Sequence, residues 1–174
     1  METTKWKIDP SHSQIGFRVK HMMFTTVSGT FDRYDATITT NDDSFKNAEV
    51  QFSADADSVN TGNADRDTHL KSADFFNSEA NPKIDFKGTL FQTGSGYELS
   101  GSLTMNGRSQ QISLPVEFGG ILKDPWGNDK AVMAIEGRIS RKDWGLTWNS
   151  ALETGGVLVS DEVRVAIELQ LVKA

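Results

Sequence analysis

Apolar side chains recur at every second position along most of this chain, and a period of two places successive side chains on opposite faces of a strand. The last segment shows it best. Val163, Val165, Ile167, Leu169 and Leu171 share one face, and Arg164, Glu168 and Gln170 occupy the other. Residues 48–56 repeat the pattern with Val50 and Phe52 inward, and residues 97–105 repeat it with Tyr97, Leu99, Leu103 and Met105. Further runs at 13–20, 27–40, 83–93, 110–122 and 130–140 bring the total to eight strands.

In the run over 27–40 the inward parity changes from Val27, Gly29 and Phe31 to Tyr34, Ala36 and Ile38, so a one-residue bulge is expected near Asp32 and Arg33. Turn chemistry at Asn41-Asp42-Asp43, Gly94-Ser95-Gly96, Asn106-Gly107 and Trp126-Gly127-Asn128 marks hairpins of an antiparallel meander. Only residues 63–76 read as helical, with Asn63 or Asp65 as the cap. Eight half-buried strands hide their apolar faces by closing into a barrel or by packing as two sheets. Several exceed ten residues, about 33 Å at roughly 3.3 Å per residue, which suits a tilted barrel. The expectation is an all-β, eight-stranded antiparallel barrel, one domain over residues 1–174, with one short helical excursion.

A net charge of -6 repels the phosphates of nucleic acid and the anionic head groups of a membrane surface unless basic residues gather into a local patch, and nucleic acid is therefore not expected as a partner. With no cysteine, disulfides and thiolate metal sites are excluded. No apolar run approaches the roughly 18 residues of a spanning helix, and residues 1–7 lack the apolar core of a secretion signal. The expected location is the cytoplasm.

Five glycines, Gly29, Gly88, Gly101, Gly120 and Gly137, fall on inward faces. Two roles suit them: relief where strands coil and cross, or a lumen kept open. The expected wall comprises Phe17, Val19, Phe31, Phe52, Phe75, Phe86, Leu103, Met105, Leu114, Val116 and Ile135. Such a lining favours a hydrocarbon chain, since burial of apolar area contributes roughly 25 cal/mol per Å².

Three blocks of residues carry a family resemblance. The first is Trp6-Lys7-Ile8-Asp9-Pro10-Ser11-His12-Ser13 with Gly16-Phe17 and Lys20-His21-Met22-Met23. The second is Arg66-Asp67 with His69-Leu70-Lys71-Ser72-Ala73-Asp74-Phe75-Phe76 and Pro82-Lys83-Ile84-Asp85-Phe86, and the third is Arg141-Lys142-Asp143-Trp144-Gly145-Leu146. In this order they resemble the YceI-like, polyisoprenoid-binding family. The resemblance implies a lipocalin-like barrel that holds an isoprenoid, quinone, fatty acid, amide or other long amphiphile, and frequently a homodimer; many members of that family are exported.

A polar lipid head needs donors or cations where the tunnel meets water. Within or beside these blocks, His21, Arg33, His69 and Arg141 are the candidates, each next to an aromatic or apolar run at a strand end, bulge or helix. His12, following Asp9-Pro10-Ser11, reads as a local hydrogen-bonding residue. Arg66 and Asp67 read as a pair bracing the helix, and Asp143 as a turn or cap residue.

Catalytic and metal readings find less support. The three histidines stand nine and 48 positions apart, and no HExxH, GxSxG or phosphate-loop pattern occurs. Asn63, Asp65 and Asp67 alternate like calcium ligands, but Thr68 stands where such a loop needs glycine and Asp74 where it needs glutamate. No cofactor and no metal are expected. The leading expectation is a non-enzymatic lipid carrier or sequestering protein. An enzyme acting on bound lipid, and an interaction or stress protein with a filled core, are the alternatives.

Overall fold

The computed structural model describes residues 3–153 and 155–174. The strands are β1 (Thr4–Ile8), β2 (Gln14–His21), β3 (Thr25–Phe31), β4 (Tyr34–Thr40), β5 (Asn47–Asp55), β6 (Val59–Asn60), β7 (Lys83–Thr93), β8 (Gly96–Met105), β9 (Arg108–Lys123), β10 (Asp129–Ser140) and β11 (Val159–Lys173). Helix α1 (Ala64–Lys71) interrupts them after β6.

Six of these strands join end to end in three pairs. β1 and β2 lie in succession along β11, β3 and β4 lie along β2 and β1, and β6 and β5 lie along β3 and β4. Counted as continuous staves, the sheet has eight antiparallel members, and β1 pairs with β11 to close it. The structure is therefore the closed eight-stranded barrel that the alternation predicts, not two packed sheets.

The interruptions have local causes. Between β1 and β2, Asp9 caps the short 3-10 turn Pro10–His12: its carboxylate accepts the Ser11 N–H at 3.1 Å and meets His12 Nδ1 at 2.9 Å. The predicted role of His12 is the observed one. Between β3 and β4, the parity change at Asp32 and Arg33 is a break in the ladder. There Asp32 N–H donates to the Ser58 carbonyl at 3.2 Å, and Asp55 N–H donates to the Arg33 carbonyl at 2.9 Å. A further bulge lies between β9 and β10, where the register shifts at Val132 and Met133.

That bulge corrects one of the glycine expectations. Gly120 sits in it at φ 89 with open space where a Cβ would be, opposite Val132 and away from the inward row Ala131, Met133 and Ile135. The other four do not empty the lumen either. Gly88 and Gly101 face each other across β7 and β8, where a Cβ on either would strike the opposing backbone. The Phe17 ring lies over Gly29, and a Leu114 methyl lies over Gly137. Of the two roles, close approach of strand to strand and of ring to strand is the one observed.

One end of the barrel is solid. Trp6 and Phe45 are fully buried, their rings 5.2 Å apart; Phe45 meets Phe118 at 5.1 Å, and Phe118 meets Tyr97 at 5.1 Å. Leu90, Ala131 and Leu171 complete the packing. At the other end α1 lies across the opening, capped by Asn63, whose Oδ1 accepts the Arg66 N–H at 3.0 Å. The helix ends at Lys71, short of the predicted 76, because the chain turns at Ser72, whose N–H donates to the His69 carbonyl at 3.1 Å.

Candidate functional site

A cavity of about 560 Å³ occupies the barrel between the aromatic plug and the α1 end. Ten of the residues expected on its wall are there: Phe17, Val19, Phe31, Phe52, Phe75, Phe86, Leu103, Met105, Leu114 and Ile135. Val116 is not. It is 6% exposed and packs within the solid core, opposite Tyr97 across β8 and β9. Parity tells which face a side chain takes, but not how far along the tube it lies, and Val116 falls at the filled end. Strand residues the sequence reading left out, among them Ile8, Ile15, Met133, Ile167 and Leu169, also line the cavity.

The polar groups bordering this space gather at one end. Lys20, His21, Thr61, Asp65, Arg66, His69 and Arg141 line the rim beside Trp148. Of the four head-group candidates, His21, His69 and Arg141 are thus brought together and Arg33 is not. Arg33 pairs through Nε with Asp55 at 3.0 Å and through Nη2 with Asp57 at 2.7 Å, outside the cavity lining. The Asp55 hydrogen bond and the charge of Asp57 hold its guanidinium pKa above the ordinary arginine value. The break between β3 and β4 turns this side chain toward the acidic β5–β6 connection and away from the mouth.

His69 stands at the centre of an aromatic cluster. Its ring meets Trp148 at 4.6 Å and Phe75 at 5.1 Å, both edge to face, and its Nε2 lies 2.9 Å from Asp74 Oδ2. A second group of rings lines the same space, with Phe31 5.7 Å from Phe76 and 5.6 Å from Phe17. These rings narrow the mouth without filling the space beneath it. Trp148 belongs to an irregular segment after the 3-10 turn Arg141–Trp144, so no periodicity could have singled it out.

Arg141 is 4% exposed, and most of its donors are committed. Nε donates to the Ser160 carbonyl at 2.9 Å, Nη1 to the carbonyls of Leu146 at 2.6 Å and Trp148 at 2.9 Å, and Nη2 to that of Val159 at 3.3 Å. Since a guanidinium has five N–H groups, little is left for a ligand. Burial pulls its pKa below the ordinary arginine value, and Asp161 at 3.9 Å partly offsets this. Arg141 thus clamps the segment carrying Trp148 to the start of β11.

Arg66 and Asp67 do not pair with each other. Both bind Thr61: Arg66 Nε donates to Thr61 Oγ1 at 2.7 Å, and Thr61 Oγ1 donates to Asp67 Oδ1 at 2.6 Å. The brace expected of them exists, with a threonine hydroxyl as its middle member.

Comparison with known proteins follows the same outline. Residues 6–171 match the family described as the YceI-like domain. A UPF0312 protein of Staphylococcus aureus (strain MSSA476) is 34% identical over 162 residues, covering 92% of this chain and 93% of its own. Among solved structures, a Campylobacter jejuni YceI protein superimposes with a TM-score of 0.74 at 29% identity, over 96% of each chain. A polyisoprenoid binding domain from Saccharophagus degradans shares the fold, with a TM-score of 0.67 at 16% identity, over 97% of this chain and 98% of its own.

Proposed function

Because this chain belongs to the YceI-like family, we propose that it binds a long-chain isoprenoid or similar amphiphile in the barrel and carries or sequesters it without chemical change. The observation that carries the reading is the arrangement of the cavity. Its depth is lined by Leu, Ile, Val, Met and Phe side chains, and the cations and imidazoles among its described residues, Lys20, His21, Arg66, His69 and Arg141, stand at the rim. An extended hydrocarbon exchanges water for this wall along its length, while a polar head stays among groups that can hydrogen-bond it. The polyisoprenoid-binding description of a structural neighbour supports the same class of ligand.

His21, His69 and Arg66 are the head-group contacts in this reading. Arg141 acts through the segment it clamps. Protein purified without detergent should yield, on organic extraction and mass spectrometry, one long-chain species in near-equal amount. A protein that emerges empty and ignores added prenyl lipids would overturn the reading.

A further inference from the structure

Three apolar side chains stand in water beside the cavity mouth. Met22, Met23 and Phe24 are 57%, 65% and 84% exposed, and they form the tip of the hairpin between β2 and β3. The tip is continuous with the rim. His21, immediately before it, lines the cavity, as does Leu158, whose carbonyl accepts the Met22 N–H at 2.8 Å.

The backbone of the tip is unfavourable for the residues it carries. Met22 and Met23 have φ of 51 and 61, both left-handed, and the Phe24 N–H closes the turn on the His21 carbonyl at 3.2 Å. Hairpin turns of this kind suit Asn-Gly, because a Cβ at positive φ crowds the neighbouring carbonyl. Burial does not compensate, since both methionines are exposed. Backbone held in a costly conformation while it presents apolar groups to water is characteristic of functional segments.

Shape selects the partner. A protein interface needs a patch of about 800 Å² on each side, whereas a three-residue hairpin tip between His21 and Thr25 is narrow and protruding. Methionine and aromatic side chains on such a projection suit the boundary between lipid head groups and acyl chains. Val157, 41% exposed, extends the same apolar face, because Met23 lies against the adjacent Gly156. Lys20 Nζ sits at the base of the tip, donating to the Phe24 carbonyl at 3.3 Å and to Thr26 Oγ1 at 3.0 Å, where it would face lipid phosphates.

We propose that the Met22-Met23-Phe24 tip inserts into a phospholipid bilayer and holds the cavity mouth against it while a lipid passes between the two. This rests on the reading of the cavity as a lipid container. The test uses the full chain and the variant M22N/M23G/F24S, which keeps a favourable turn. Three quantities are measured: flotation with phosphatidylcholine vesicles containing phosphatidylglycerol, the rate at which a fluorescent prenyl probe moves from those vesicles into the protein, and vesicle-free binding of the same probe.

The variant should lose flotation and transfer rate by about tenfold while its vesicle-free binding is unchanged, which also shows that it folds. Equal flotation and transfer by the two proteins would overturn the proposal. So would a wild-type protein that binds the probe but never floats, an outcome that leaves the container intact. Flotation without any probe uptake would instead support insertion while the container reading fails. If the wild type self-associates without vesicles and the variant does not, the tip is a contact between two copies and the proposal falls.

Discussion

Asp9 gathers Lys130 Nζ at 2.6 Å, His12 Nδ1 at 2.9 Å and the Ser11 hydroxyl at 2.7 Å on one carboxylate, tying the turn after β1 to the start of β10. Lys130 first, then His12 and Ser11, hold its pKa far below the usual carboxylate range. A folded pKa below the unfolded one means that the stabilisation is complete above about pH 4 and fades as acid protonates the folded carboxylate. Asp9→Asn should therefore lower stability at neutral pH by about 1–2 kcal/mol. In urea melts at successive pH values, the gap from wild type should close toward strong acid. A gap that widens there would contradict this. Arg141→Lys cannot reach four carbonyls from one ammonium, and it should cost about 2 kcal/mol with increased proteolysis near Trp148. At this scale local chemistry was readable: Asp9-Pro10-Ser11 pointed to the bonding of His12. Long-range partners were not, and so Arg33 was expected at the mouth when Asp55 and Asp57 hold it elsewhere.

Strands β7 and β8 approach so closely at Gly88 and Gly101 that a Cβ on Gly101 would meet the Lys87 carbonyl and the Gly88 Cα. Gly101→Val should force the ladder apart and cost about 2–3 kcal/mol, measured by thermal unfolding. The opposite sign is expected at the β2–β3 turn, where M22N/M23G should raise stability by about 1–2 kcal/mol by relieving left-handed crowding. Alternation sufficed for these elements because the side-chain period of a strand survives any register, so all eight runs became staves. It missed β1 as a strand, since Lys5-Trp6-Lys7-Ile8 alternates for too few positions to stand out. It also misled at the inward glycines. A glycine in a strand reads alike whether the vacant volume stays empty or is taken by a neighbour, and here Phe17 and Leu114 take it.

For the whole molecule, the decisive property is how far along the barrel the filling extends. Face was legible in the sequence and depth was not, because Trp6, Phe45, Tyr97 and Phe118 come from distant stretches that meet only after closure. Had these rings met halfway along the lumen, no container would remain; they meet at one end and leave about 560 Å³ beyond. Leu99 reaches that space from β8. Leu99→Trp should fill part of it, lowering the amount of bound lipid at least about twofold at a cost of about 1–3 kcal/mol in stability. Unchanged lipid content by mass spectrometry would show that the guest lies elsewhere.

The aromatic plug also dictates how a guest would travel. A blind-ended tube offers no through-passage, so a chain must thread in tail foremost and back out along the same path. Its head would be the last part to enter and the first to leave. Exchange would then answer to changes at His69 and Trp148 in the doorway more sharply than to changes in the walls behind them.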